Sequence, residues 1–480
     1  MYKKILYIAL LILLTGDTVF SFLQHYSMSL DGDMASEIVP SEDMKPVFEN
    51  PFGFRVFTDG ISYPNPNRFF GQWTYKEYFT SVPIFLQKFV GPIDSIYLSC
   101  AIFKTIIQLL LIFLIALAIT GRKNIFNLNF IIAAALITPL FQTYGYSGYM
   151  GIIDRSITYS FFYAFPITLL LLYFTPLIKQ YYHKTDIKLP WYIKIFWIPF
   201  AFVICLSGPL NSGVILILSG LILFVNLKSS INLSEKNGII LKVFDSIKRV
   251  PGKYWFYLTP VCLISVYSLY IGRFNSFNFR DHVSIGELYS RLPEGIYYQF
   301  TQKLGFPVLF VVLIINSLLI HYKFRNTEGN KILYIFKWIG IFSLIYILLL
   351  PLGGYREYRP NILRYDTIMP ITLCLVFVFG LSSLFLIKNL LIKSKMWYIP
   401  FIALILFVYT NSDKGNFSNN DCERKALQEI SMSRDNVIIL NSDCTVLSWK
   451  KITKPEDSDI NAQLLNIWGV TKEKKLYYCK

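Results

Sequence analysis

Histidine is scarce in this 480-residue chain: His25, His183, His282 and His321 are the whole complement, and they share neither a helical face nor a metal-ligand spacing. A histidine-centred mechanism is therefore disfavoured. The chain has no Gly-x-x-x-x-Gly-Lys-Ser/Thr phosphate loop, which argues against ATP hydrolysis, and no His-Glu-x-x-His, which excludes a zincin protease. None of the seven cysteines forms a Cys-x-x-Cys pair, so a zinc site is not expected. Internal repeats and low-complexity tracts are also missing, which disfavours inverted-repeat transporters.

Apolar residues are abundant at 54%, aromatics reach 17%, and mean hydropathy is +0.46. Apolar runs of about 20 residues recur from end to end, the length a helix rising 1.5 Å per residue needs to cross a hydrocarbon core of about 30 Å. The runs fall near residues 5–23, 93–120, 126–143, 157–178, 191–207, 212–227, 255–271, 305–320, 332–350, 367–387 and 397–410. They predict an all-α polytopic transmembrane helix bundle of about eleven spans. Residues 1–410 form the transmembrane domain, with a membrane-surface first external loop at 24–92, and 411–480 form a small extracytoplasmic α/β C-terminal cap with strand-like stretches at 437–440 and 475–478.

The net charge of +16 would suggest nucleic acid in a soluble protein, but here lysines gather in alternate connecting segments. That is the positive-inside pattern, so the excess is an orientation signal and no nucleic-acid partner is expected. It places the N-terminus in the cytoplasm and the C-terminus outside, as in a bacterial inner membrane with a periplasmic tail. Cys422, Cys444 and Cys479 would then meet an oxidising compartment, where one disulfide is expected with its pairing open. The external loops carry Arg55, Arg68, Arg155, Arg273, Arg280, Arg291, Arg356, Arg359 and Arg364 with few lysines, and arginine's planar fork suits phosphate or carboxylate.

Two motifs concentrate the chemistry. Asp31-Gly32-Asp33 begins just beyond the first span, where two carboxylates flanking a flexible glycine can converge on a divalent cation or on a proton to be removed. The same three residues also suit a plain turn. Before a late span lies Tyr355-Arg356-Glu357-Tyr358-Arg359-Pro360-Asn361-Ile362-Leu363-Arg364-Tyr365-Asp366. Its arginines and tyrosines suit either a lipid-linked phosphate or ordinary headgroup anchoring. Asp154-Arg155 in the second external loop is an ion pair or a second acidic corner of the same site.

This arrangement resembles the GT-C superfamily of membrane glycosyltransferases. The match rests on an acidic motif after the first span, a long first loop, an arginine-tyrosine motif before a late span, and an external cap. The resemblance implies transfer of a sugar from a polyprenyl-phosphate donor to an extracytoplasmic acceptor (glycan, lipid or protein), with inversion, as in cell-envelope polysaccharide biosynthesis. Asp31 and Asp33 would be catalytic. Arg356, Tyr358, Arg359, Arg364, Tyr365, Asp154 and Arg155 would bind substrate beside membrane lipid. No cofactor is certain; a divalent cation, Mg or Mn, would be held by Asp31, Asp33 and Asp154. The alternatives are a polysaccharide polymerase or ligase using a lipid-diphosphate-linked glycan, and a membrane transporter or flippase.

Overall fold

The structure is a computed structural model describing residues 2–122, 124–141, 150, 152–184, 190–231, 238–277, 284–302, 304–354 and 361–479. All eleven apolar segments contain helix. In chain order the helices are α1 (Tyr2–Tyr26), α2 (Met34–Ile38), α3 (Lys45–Glu49), α4 (Arg55–Thr58), α5 (Phe69–Leu86), α6 (Pro92–Thr120) and α7 (Leu128–Ile137). There follow α8 (Ile157–His183), α9 (Trp191–Cys205), α10 (Asn211–Ile231), α11 (Ile239–Arg249) and α12 (Gly252–Gly272). Then come α13 (Ile285–Ser290), α14 (Leu292–Thr301), α15 (Gly305–Lys323), α16 (Thr327–Leu349), α17 (Met369–Asn389) and α18 (Ile392–Ser412).

Among the described residues nine of these, α1, α6, α8, α10, α12 and α15 to α18, are long and apolar enough to cross a bilayer. The protein is an integral, multi-pass membrane protein. The other two of the about eleven expected spans hold shorter apolar helices, α7 and α9. The first gives way to a tight turn at Thr138–Phe141, and the second has 15 residues, a rise of about 22 Å. The segment around Gly208 and Pro209 is thus a turn between two helices. Helices α6 and α17 form the enclosed centre, and α1 lies at the periphery. Gly380 on α17 permits the closest approach there, because a Cβ at that point would meet Ile119 and Ile137 side chains at 2.6 and 2.8 Å.

The first loop, 24–92, folds into α2 to α5 and packs onto the bundle end instead of standing apart. Asn65 and Asn275 lock it to the middle loop: Asn65 N donates to Asn275 Oδ1 at 3.0 Å, and Asn275 Nδ2 donates to Asn65 Oδ1 at 3.2 Å. The C-terminal segment adds α19 (Asp421–Met432), β1 (Val437–Leu440), α20 (Asp459–Ile467) and β2 (Leu476–Cys479), the strands pairing in parallel. The pairing left open by the sequence is Cys422–Cys444, and the Cys479 thiol is free.

Helix α19 seats this cap on the bundle through one buried carboxylate. Glu423 Oε2 accepts from Leu30 N and Tyr97 Oη, each at 2.9 Å, and Oε1 accepts from Leu447 N at 3.3 Å. The neighbouring Arg424 pairs with Asp94 at 2.5 Å and lies 4.0 Å over the Tyr97 ring. Trp468, fully buried, donates its indole N–H to Phe79 O at 2.9 Å, fastening the far side to α5.

Burial, with Asp31 adding repulsion, pushes the Glu423 carboxyl from 4.5 up to about 7 despite the three hydrogen bonds it accepts. A carboxyl raised on folding contributes stability that is full below pH 4.5 and is lost as pH rises through 7. The melting temperature should therefore fall between pH 5 and 8 by the equivalent of about 1 to 3 kcal/mol. Glu423→Gln should flatten that fall, and an unchanged slope would contradict the assignment.

Candidate functional site

Asp31 joins the first loop to the start of α8. The carboxylate is buried, and both oxygens are filled. Oδ2 accepts from Ser156 Oγ at 2.7 Å and Thr158 N at 3.0 Å, while Oδ1 accepts from Thr158 Oγ1 at 2.8 Å and Asp33 N at 3.1 Å. Four donors leave it little capacity for a substrate proton. Gly32 has a separate reason to be glycine: a Cβ there would stand 2.4 Å from Trp449 N, so the cap loop rests directly on the turn. Asp33 is half-buried at the far end of that turn, and its Oδ1 accepts the Trp449 indole N–H at 2.9 Å.

Asp154 sits in the short loop leading into α8, where its Oδ1 caps Ser156 N at 2.7 Å. Burial, aided by Asp366, raises its carboxyl to about 6 against the Ser156 and Tyr365 hydrogen bonds and the charge of Lys104. Lys104 itself rises from the middle of α6, fully buried, and donates to the Arg155 carbonyl and to Met28 Sδ at 3.4 Å. An ionisable group inside an apolar run is a functional signal in its own right. Lys104 was not among the expected site residues, although a lysine within so apolar a run is legible in the sequence.

Arg364 stands over α17, half-buried, and grips the buried Asp366 with two parallel bonds: Nε to Oδ1 at 3.0 Å and Nη2 to Oδ2 at 2.7 Å. This bidentate pair fixes the guanidinium's plane.

These three loops, more than 300 residues apart at their extremes, line one cavity of about 1410 Å³. Its lining includes Arg68, Arg155, Arg364, Tyr159, Tyr163 and Tyr365 together with Asp33, Glu37, Asp43, several serines and Trp449. Beneath it an apolar groove of about 330 Å³ runs between α8, α10, α16 and α17. The groove lies along the helices whose ends border the cavity: Tyr163 on α8 and Leu210, Leu350 and Thr367 beside the ends of α10, α16 and α17 line the cavity, and Ile167, Val214, Phe342 and Pro370 on these four helices line the groove. From Ile167 to Tyr182 along α8 it extends about 22 Å.

Of the sequence-derived site residues, Asp31, Asp33, Asp154, Arg155, Arg364 and Tyr365 share the cavity. Arg356, Tyr358 and Arg359 lie outside the described residues. Among the described residues no group of three His, Cys, Asp or Glu side chains is arranged to hold a metal ion. The Asp31, Asp33 and Asp154 set does not fit a cation, because Asp31 has already spent its oxygens on donors. Arg68 and Trp449 were not singled out as site residues: only the folding of the first loop and cap brings them to the cavity. The chain matches no protein-family model and no curated protein.

The two aspartates of the first motif should separate in stability. Asp31→Asn turns an amide N–H2 toward donors and should cost about 1–3 kcal/mol. Asp33→Asn should change thermal stability by about 0.5 kcal/mol or less. Equal losses in the two variants, measured by thermal unfolding in one detergent, would contradict the distinction.

Proposed function

We propose that the protein is an integral-membrane glycosyltransferase of GT-C type, moving a sugar from a polyprenyl-phosphate donor to an acceptor on the external face of a bacterial inner membrane. The observation that carries this reading is the placement of a cavity lined by Arg68, Arg155 and Arg364 at the ends of four helices that also line an apolar groove. An amphipathic ligand with an anionic head and a long apolar tail fits both at once. Lysine-rich segments at the opposite helix ends support the cavity's external position.

In this reading the prenyl chain occupies the groove, and Arg68, Arg155 and Arg364 meet the phosphate. Asp33 takes the proton of the acceptor hydroxyl as its oxygen attacks the anomeric carbon from the face opposite the phosphate. The anomeric C–O bond breaks, its electron pair leaves with the phosphate, and configuration inverts. Stabilising that departing anion is the largest service the arginines can render. Asp31 is a positioning residue that fixes the turn bearing Asp33. No step is routed through a metal.

Native mass spectra of the detergent-purified protein test the donor. A polyprenyl monophosphate, with or without one sugar, should remain bound and fall at least tenfold in occupancy in Arg155→Gln/Arg364→Gln. Retained diphosphate-linked glycan would favour a polymerase or ligase, and no isoprenoid would favour transport. Asp154 adds a pH test: its charge repels the phosphate and disappears as pH falls through about 6. A phosphodiester donor, which does not titrate there, should bind severalfold tighter at pH 5 than at 7.5. Asp154→Asn should abolish the difference; a difference that persists in that variant would contradict the role.

A further inference from the structure

The cap contributes Asn419 and Trp449 to the cavity lining. Trp449 is 56% exposed, although its indole is fixed at two places. Its N–H donates to Asp33 Oδ1 at 2.9 Å, and its backbone and five-membered ring rest on Gly32 so closely that a Cβ there would clash at 2.4–2.8 Å. The loop that presents it is itself held under strain. Leu447, two residues earlier, is buried with φ of 49°, a left-handed conformation costly for a γ-branched residue, and its N–H is tied to Glu423. Structure is thus spent on keeping a large apolar face in water at the cavity mouth.

Polar groups from the same turn and from the cap share the cavity with this face: Asp33, which holds the indole N–H, and Ser29 and Asn419. Asn419 Nδ2 donates to Ser29 Oγ at 3.4 Å, so the cap and the first loop form the rim jointly. A rigid, edge-anchored indole face bordered by a carboxylate, a hydroxyl and an amide is what a sugar ring requires. The ring's axial C–H groups pack on the π surface, whose negative face they complement, while its equatorial hydroxyls reach the rim. Prenyl chains need no such rim, and a phosphate would be repelled by Asp33.

We propose that Trp449 is the stacking platform of a carbohydrate-acceptor subsite, so that the acceptor is a glycan whose ring lies on the indole with a hydroxyl directed to Asp33. This deepens the transferase reading and rests on it for the word acceptor, but sugar binding at Trp449 can be measured without any lipid donor. The protein labelled with 5-fluorotryptophan gives a fluorine resonance for Trp449, assigned by its loss in Trp449→Phe. Titration with a panel of methyl hexosides and methyl N-acetylhexosaminides should shift that resonance saturably for at least one glycoside. Saturation-transfer signals from that glycoside should weaken at least tenfold in Trp449→Ala and less in Trp449→Phe, which keeps a ring. A Trp449 resonance unmoved by every glycoside, or moved only by short peptides, would overturn the proposal. So would an equal glycoside signal in Trp449→Ala. Failure of polyprenyl-phosphate retention in the mass spectra would instead count against the donor, leaving the sugar-binding result to stand on its own.

Discussion

The Asp31 carboxylate is the constraint on which the rest of the site depends. A buried carboxylate is expensive unless donors fill it, and here Ser156, Thr158 and the backbone of Asp33 do so completely. Because those donors belong to two segments 125 residues apart in sequence, satisfying one charge closes the first loop onto the head of α8. Everything else at the cavity follows from that closure. Asp33 is turned outward, Asp154 is brought beside Tyr365, and the cap loop finds Gly32 small enough to rest on.

A second buried carboxylate repeats the device one layer up. Glu423 gathers Leu30, Tyr97 and Leu447, and so joins first loop, α6 and cap at one point. The adjacent Cys422 is bonded to Cys444, so the chain on both sides of β1 is braced against the same helix. Each carboxylate demands specific donors, so it adds directional constraints to the apolar packing of the bundle.

The helical bundle was legible because length and apolarity alone determine a span, and each apolar run contains a helix. Two runs hold helices shorter than the others, α7 passing into a tight turn at Thr138–Phe141 and α9 ending at Cys205 before the Gly208-Pro209 turn. The disulfide pairing was not legible, because three cysteines in one tail permit three pairings and only the fold selects one. Asp31, Asp154 and Arg364 stood out as charged residues flanking spans, and they do share a cavity. Their division of labour did not stand out. Asp31 and Asp33 look equivalent in sequence, and only hydrogen-bond partners separate the filled carboxylate from the one at the cavity. Trp449 was invisible, an ordinary surface tryptophan until the cap docks, whereas Lys104, a single charge within an apolar helix, was a legible signal left unused.

The central claim is that the arginine-lined cavity and the apolar groove are one site for one lipid. A structure of the protein in nanodiscs containing a polyprenyl phosphate sugar tests it most directly. The account predicts phosphate density among Arg68, Arg155 and Arg364, with chain density descending between α8, α10, α16 and α17. A headgroup at the lysine-rich end of the bundle, or a chain lodged between other helices, would contradict it.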